Sequence, residues 1–401
     1  MKKKAIVLLI MGYCALEIMG CGNAASHNSN GAVTEIQADV LEDDEETSVA
    51  DSEGEILVSE EILKIPDFSG ELDFTFDIKT DAQPENETRS NFVYTENGYY
   101  RFGFDWTEGS YVIGKRLYYY DNALGEEILV CDKINCTHTS EECNACFSNA
   151  TYPTADIWQY EGDLYLLKQE GELLEIEKVS QDGATREKSC TLMRQAMETT
   201  VAEDGSESTS YFFPELQLHR GYVYWSDYYP GSDKCTLYSV KLNSSEDAEV
   251  LYTISENSPC LYRLKPYGRY LLFQMGNFDS SYENFSGGIY AYDTQEKSVS
   301  RLCEEGIRDY CVWKDSIYYF DLEDNVKVKN LQTGETSLFY KNERDTSMNS
   351  TRLFSQDTNL IYEIINLDNE EVTQLILDEN GNVTSVLEQS EAADMLHPYM
   401  F

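Results

Sequence analysis

Gly221-Tyr222-Val223-Tyr224-Trp225-Ser226-Asp227 is the stretch that decides the fold, because a turn glycine precedes an aromatic and β-branched run that ends at polar residues. Residues of these types favour a pleated, half-buried strand. Runs of the same kind recur about every 45–60 residues, and further strand-like runs separated by turns surround each of them. The other copies are residues 98–104, 162–168, 268–274, 315–321 and 358–364.

The recurrence predicts an all-β protein with a β-propeller fold. Four strands in about 45 residues are typical of one propeller blade, whose small sheet buries its faces only against neighbouring blades. The six copies predict six blades. Residues 65–80 contain an alternating run, Glu71-Leu-Asp-Phe-Thr-Phe-Asp-Ile78, which we expect to pair with the last blade or to belong to a seventh. A two-domain β-sandwich is the structural alternative, but sandwich strands do not require self-similarity at this period.

The start of the chain indicates export. Met1-Lys-Lys-Lys4 precedes an apolar run that ends at Leu16 and is too short to span a membrane. Ile18-Met19-Gly20-Cys21 then resembles a bacterial lipobox. We therefore predict a lipoprotein signal peptide over residues 1–20, lipidation of Cys21, and a location on the extracellular face of a bacterial cell membrane. An ordinary secretory signal is the alternative.

Residues 21–61 are predicted to form a disordered acidic tether, because the segment is poor in apolar residues and no lysine or arginine occurs between Lys4 and Lys64. The propeller is assigned to residues 62–401. The whole chain has 73 acidic and 30 basic residues and a net charge of −43, which excludes nucleic acid as a partner. We expect a monomer that contacts the membrane through its lipid anchor.

One loop, residues 131–147, breaks the repeat and is called the cysteine loop below. Its thiol and imidazole groups have spacings that could close a structural zinc site, for example with Cys131, Cys136, His138 and Cys143. In an oxidising compartment Cys131, Cys136, Cys143 and Cys146 would instead form two disulfides. These four cysteines can be paired in three ways, and the sequence does not choose among them. A redox-active pair of Cys143 and Cys146 is the third alternative. The cysteines of the predicted strands are interpreted as small buried hydrophobes.

The same loop carries a resemblance to a known family. A lipobox, an acidic tether and blade-like repeats around a Cys…Cys-x-His…Cys-Asn-Ala stretch resemble Clostridia-type surface lipoproteins, whose propeller domains are similar to those of low-density-lipoprotein-receptor-related and TolB-like proteins. An aromatic residue is expected directly after Asn-Ala, whereas this chain has Cys146 before Phe147. The resemblance implies a surface propeller of undefined function. The matching positions are Val130, Cys131, Cys136, His138, Cys143, Asn144 and Ala145.

These patterns favour a binding, sensing or scaffolding role toward an unidentified extracellular protein, peptide or glycan. Propeller ligands usually contact loops at a mouth of the central channel, so Tyr228, Tyr229 and Phe278 are candidate contacts. The chain has four histidines and lacks both a Gly-x-Ser-x-Gly elbow and a His-Glu-x-x-His motif, which favours a non-enzymatic role. Its carboxylates are so numerous that a glycosidase pair is neither identified nor excluded, so the question of an enzyme stays open. The alternatives are an extracellular enzyme that acts on a glycan or peptide, and a metal or redox protein that uses the cysteine loop.

Overall fold

The computed structural model of the protein describes residues 64–389, apart from residues 70–71, 76, 78–79, 82–90, 105–113, 195, 202–206, 228–232, 256–258, 279–284, 305–306, 345–348, 357 and 367–370. The predicted signal peptide, the lipidation site Cys21 and the acidic tether lie outside the described residues, as do Tyr228 and Tyr229. All regular elements in the described part of the chain are β-strands. It contains no helix of the length and apolar character needed to cross a membrane.

The strands of the described residues form six blades, each an antiparallel sheet whose four main strands follow one another in sequence and in space. Blade 1 has a fifth short strand, and a separate two-stranded hairpin follows blade 2. The predicted all-β propeller with six blades is thus confirmed.

The strands of the first three blades have the following bounds. Blade 1 comprises β1 (Phe92–Thr95), β2 (Gly98–Phe104), β3 (Lys115–Asp121), β4 (Glu126–Leu129) and β5 (Cys146–Phe147), which pairs with β3. Blade 2 comprises β6 (Ile157–Tyr160), β7 (Asp163–Glu170), β8 (Leu173–Val179) and β9 (Arg186–Arg194), and the hairpin is β10 (Ala196–Val201) and β11 (Glu207–Phe212). Blade 3 comprises β12 (Leu216–His219), β13 (Tyr222–Ser226), β14 (Lys234–Lys241) and β15 (Glu249–Ser255).

The last three blades repeat the same arrangement. Blade 4 comprises β16 (Pro259–Tyr267), β17 (Tyr270–Phe278), β18 (Phe285–Asp293) and β19 (Ser298–Cys303). Blade 5 comprises β20 (Ile307–Trp313), β21 (Ser316–Phe320), β22 (Val326–Asn330) and β23 (Thr336–Tyr340). Blade 6 comprises β24 (Asn349–Gln356), β25 (Asn359–Asn366), β26 (Val372–Leu377) and β27 (Val383–Gln389).

The stretch that decides the fold forms β13, the second strand of blade 3. Tyr222 at its start is exposed, and the four residues that follow are buried. Val223 and Trp225 pack in the cluster shared with blade 2, whereas Tyr224 packs in the cluster shared with blade 4. Successive side chains of a strand point to opposite faces, and here both faces are covered by a neighbouring blade. The recurring runs are therefore almost continuously apolar.

Apolar clusters join each blade to the next from blade 1 to blade 6. The seam between blades 3 and 4 is typical and contains Leu237, Leu271, Phe273 and Tyr290, all buried. Burying a side chain of this size stabilises a fold by about 1.5–3 kcal/mol relative to leaving it in water. Packing between blades therefore supplies much of the stability.

The first strand of each blade is the innermost, because first strands of successive blades lie next to one another and fourth strands carry exposed residues such as Val250. Polar side chains link these inner strands. Trp158 of blade 2 donates from Nε1 to Oε1 of Gln217 in blade 3 at 3.0 Å. Lys265 of blade 4 lies 3.0 Å from Asp309 of blade 5. The inner strands are therefore held by side-chain contacts that run around the channel axis.

The described residues between 64 and 81, called the N-terminal strap, depart from the prediction. They pair with neither blade 6 nor a seventh blade. Asp67 instead forms a parallel bridge with Arg301 of β19, and the Arg301 N–H donates to the Pro66 carbonyl at 2.9 Å. Residues 72–75 and 77 belong to no strand. The alternation of residues 71–78 arises because Leu72 and Phe74 pack against the cluster between blades 4 and 5.

The N-terminal strap continues from blade 4 across to blade 3. The Arg269 N–H donates to the Asp73 carbonyl at 3.1 Å, and the Arg220 N–H donates to the Thr80 carbonyl at 2.8 Å. Gly268 has a φ of +52°, and a Cβ there would lie 2.5 Å from the Asp73 carbonyl oxygen. Only glycine fits this close approach without strain. The N-terminal strap therefore joins the first described residues to blades 4 and 3, the middle two of the six blades.

Candidate metal centre

The cysteine loop leaves blade 1 at its outer edge and returns to the same blade. Val130, which follows β4, donates its N–H to the Leu117 carbonyl at 3.0 Å, and the Leu117 N–H donates to the Ala145 carbonyl at 3.1 Å. Cys146 and Phe147 then pair with β3 as the short strand β5. Both ends of the loop are thus fixed by backbone hydrogen bonds, which holds residues 131–143 over one end of the sheet.

Four predicted ligands converge in this loop. The side-chain donor atoms of Cys131, Cys136, His138 and Cys143 all lie within 4.8 Å of one another, and His138 Nδ1 is 3.1 Å from Cys143 Sγ. Asn135 and His138 adopt left-handed φ values of +59° and +54°, so the chain turns sharply beside both central ligands. Three sulfur atoms and one imidazole nitrogen form a donor set that could hold a metal ion of soft or borderline character.

The thiol groups of this site differ in their electrostatic surroundings. Burial raises the pKa of Cys143, while the Ala145 N–H, 3.4 Å from its sulfur, acts in the opposite direction. Burial also acts to raise the pKa of Cys131, but hydrogen bonds from the backbone N–H groups of Lys133 and Asn144 and from neighbouring thiols lower it overall. The exposed side of the site therefore offers a thiolate more readily than its buried side.

Of the remaining predicted site residues, Cys146 packs beside this group and Phe278 lies outside the cysteine loop. Cys146 is fully buried in β5, where its thiol donates to the His138 carbonyl at 3.4 Å, and burial raises its pKa. No disulfide joins the nine cysteines of the described residues. Phe278, predicted as a loop contact, is the last residue of β17 and pairs with Phe285 on β18.

The cysteine loop also docks on blade 2, which sequence reasoning did not reveal. Asn144 Nδ2 donates to the carbonyls of Gly183 and Ala184, in the turn between β8 and β9, at 2.7 and 3.0 Å. Gly183 has a φ of +69°, and a Cβ there would lie only 2.2 Å from the Val130 carbonyl oxygen. This turn therefore fits against the loop because residue 183 has no side chain.

Arg186, the first residue of β9, forms a second connection to the loop. Its Nη1 donates to the carbonyls of Cys143 and Cys146 at 3.2 and 3.1 Å. The guanidinium also lies 4.4 Å from the ring centroid of Phe147 and forms a 3.0 Å ion pair with Glu177 on β8. Nothing in the sequence marks Arg186, because it follows the ligand Cys143 by more than forty positions and resembles any strand arginine. The metal-ligand group is thus built at the seam between blades 1 and 2.

Carboxylates near the inner strands are used in contacts between blades. Asp309 lies beside Lys265 and accepts the Leu353 N–H of blade 6 at 2.9 Å. Glu215 of blade 3 accepts the N–H groups of Arg263 and Leu264 of blade 4 at 2.6 and 2.9 Å, and burial raises its pKa. These two carboxylates hold neighbouring blades together instead of facing each other as an acid and a base would.

No protein-family model matches the chain, and no curated protein matches it. Solved structures with which it aligns include a prolyl endopeptidase (11% identity, TM-score 0.45, covering 78% of this chain and 43% of that one). They also include an oligogalacturonate lyase in complex with manganese (11%, 0.43, 76% and 77%) and a quinonprotein alcohol dehydrogenase-like protein from Bacteroides thetaiotaomicron (9%, 0.39, 75% and 65%). The chain thus spans less than half of the prolyl endopeptidase.

Proposed function

We propose that this protein is a propeller lipoprotein on the extracellular face of a bacterial membrane, of the Clostridia-type class that its sequence resembles. Its role is to bind, sense or scaffold an extracellular protein, peptide or glycan, as a monomer. We further propose that Cys131, Cys136, His138 and Cys143 hold a structural zinc ion. Four protein ligands leave no open position for a substrate or a reactive water, so such a site stabilises the fold without catalysing a reaction.

The observation that carries the zinc proposal is the convergence of four donor atoms within 4.8 Å on a loop fixed to two blades. Protein purified under reducing conditions should contain one zinc per chain, and cobalt substitution should give the visible spectrum of a tetrahedral thiolate site. Two disulfides in the cysteine loop of the exported protein, with no bound metal, would contradict this proposal. Free thiols that bind neither zinc nor cobalt would contradict it as well.

The binding role is supported by the same closed donor set and by the inner carboxylates, which contact neighbouring blades. It is tested by screening the purified protein against cell-surface glycans and peptides, with each candidate scored for both binding and cleavage. Saturable binding without turnover is the expected result. Turnover of any glycan or peptide would replace the binding role with the alternative, an extracellular enzyme.

The membrane location rests on Ile18-Met19-Gly20-Cys21. The protein expressed in a Gram-positive host should fractionate with membranes and incorporate labelled palmitate, whereas the Cys21→Ser variant should lose the label. Secretion of unlabelled wild-type protein into the medium would show an ordinary signal peptide instead.

A further inference from the structure

A groove of about 240 Å³ opens between blades 4 and 5, on the side where the N-terminal strap lies against β19. The strap contributes Asp67 to its wall, blade 4 contributes Arg301, and blade 5 contributes Tyr319, Lys327 and Lys329. No sequence motif marks this place, because its walls come from three segments that are distant in the chain. Three of the side chains that line it are cations, and two, Asp67 and Glu304, are carboxylates.

The cations converge because of strand geometry. Lys327 and Lys329 are two residues apart on β22, so their side chains leave the same face of blade 5. Lys327 is the register partner of Tyr319 on β21, and Tyr319 packs in the cluster between blades 4 and 5. That face of blade 5 therefore looks toward blade 4, where Arg301 forms the opposite wall.

The charges of the groove are incompletely balanced. Arg301 lies 2.8 Å from Asp67 and 3.5 Å from Glu304. Lys329, in contrast, is half-buried, and its side chain has no hydrogen bond or ion pair with any residue that the structure describes. A half-buried lysine side chain with no anion beside it is unusual in a chain with 73 acidic and only 30 basic residues. A ligand that brings negative charge would remove this imbalance.

We propose that the groove binds a small molecule that carries a carboxylate or phosphate group. The Lys329 ammonium supplies the charge that holds the anion, Lys327 adds a second positive charge on the same face, and the Thr336 hydroxyl, opposite Lys329 on β23, is an additional donor. The size of the groove limits the ligand to about one sugar unit or a similar molecule. This inference rests on the proposed binding role and names the class of ligand for it.

The test is isothermal titration calorimetry of the purified full chain at low ionic strength. The titrants are inorganic phosphate, glucuronate and, as the uncharged control, glucose. At least one of the two anions should bind saturably and glucose should not, and added salt should weaken the binding. Binding of phosphate alone would identify a phosphate ligand, and binding of glucuronate alone a carboxylate ligand. The absence of saturable binding of either anion would overturn the proposal.

Substitutions of Lys329 test whether the anion binds in the groove. Lys329→Gln should weaken anion binding about tenfold, as expected for the loss of a charge-assisted hydrogen bond, whereas Lys329→Arg should retain it. Lys297→Gln is the matched control, because Lys297 is an exposed blade 4 lysine whose partner is Glu249 and which does not line the groove. Equal affinity of wild type and a folded Lys329→Gln variant would place the anion elsewhere and refute the proposal. A glycan or peptide ligand that Lys329→Gln still binds would preserve the binding role while removing the groove from it.

Discussion

The seam between blades 1 and 2 and the seam between blades 3 and 4 join neighbouring sheets with different chemistry. The second is filled mainly by apolar side chains, with Phe273 and Cys235 fully buried, and its polar contacts include those of Glu215 and His219. The first has an apolar cluster too, but the cysteine loop adds Asn144 and Arg186 contacts and the metal-ligand group. Cysteine therefore packs as a small hydrophobe where a strand carries it into a seam, and is a candidate metal ligand where a loop gathers it with others. We expect the first seam to depend on solution conditions that leave the second unchanged.

Removal of a metal ligand should have the largest effect. Cys143→Ala should abolish zinc binding and with it the stabilisation by zinc, which is about 4 kcal/mol when free metal exceeds the dissociation constant a thousandfold. Metal analysis and urea unfolding, each with and without a chelator, measure this effect. Cys190→Ala is the control, because Cys190 is equally buried but lies in the seam between blades 2 and 3. The comparison fails if chelation destabilises Cys143→Ala as much as it destabilises the wild type.

The apolar seam should respond to the loss of packing alone. Phe273 is fully buried and stacks on Tyr290 with ring centroids 6.2 Å apart, so Phe273→Ala should lower the free energy of unfolding by about 3 kcal/mol. Because no proposed ligand lies in this seam, the loss should be the same with and without chelator. A chelator-dependent loss would mean that the two seams are energetically coupled.

Acid should weaken the seam between blades 3 and 4 through His219. Its Nε2 donates to the Gly268 carbonyl at 2.7 Å, its Nδ1 has no partner in the described residues, and burial lowers its pKa to about 4. Between pH 6.5 and 4 the unfolded chain binds a proton that the folded protein excludes, so stability decreases as pH falls through this window.

The size of this acid effect is about 2 kcal/mol between pH 7 and pH 4.5. His219→Asn keeps a donor near Gly268 but has no titrating group, so the variant should lose less stability over the same range. Urea unfolding of both proteins at several pH values gives the difference. Parallel pH profiles would exclude His219 as the source.

The smallest expected effect comes from two glycine substitutions, which distinguish the cost of a steric clash from the cost of backbone strain. Gly183→Ala and Gly171→Ala both place a side chain at positive φ, +69° and +63°. A Cβ on residue 183 meets the Val130 carbonyl, whereas a Cβ on residue 171 meets nothing within 4 Å. Both variants should lose about 1 kcal/mol to strain, and Gly183→Ala should lose about 1 kcal/mol more and bind zinc less tightly. Equal losses would show that the cysteine loop does not rest on this turn.

The blade architecture could be predicted because its determinants are local. Aromatic and β-branched runs such as residues 221–227 specify strands, and their recurrence specifies the blades. The ligand group was predictable for the same reason, since Cys131 to Cys143 lie within one short loop. Spacing did not reveal how Cys146 lies beside the four candidate ligands, because its position follows from the pairing of β5 with β3.

Contacts between distant segments could not be predicted. Asp67 and Arg301 are 234 residues apart, and an alternating run such as residues 71–78 specifies which side chains are buried without specifying the partner. Arg186 and Lys329 are ordinary strand residues in the sequence. Their proposed roles depend on where the neighbouring blade lies, and patterns in a single sequence do not specify that position.

The N-terminal strap determines how this molecule would bear a mechanical load. Ile65 packs in the seam between blades 3 and 4, and Asp67 pairs with Arg301 of blade 4, although blade 1 is the next blade in sequence. A pull on the chain ahead of Lys64 would therefore strain the packing of Ile65 and the Asp67 bridge first, and then the carbonyl contacts of Asp73 and Thr80 in succession. Bonds that are loaded one at a time open at lower force than bonds loaded together. The N-terminal strap would thus detach from blades 4 and 3 and extend before the tension reached blade 1. The six blades would stay folded while the strap is pulled off.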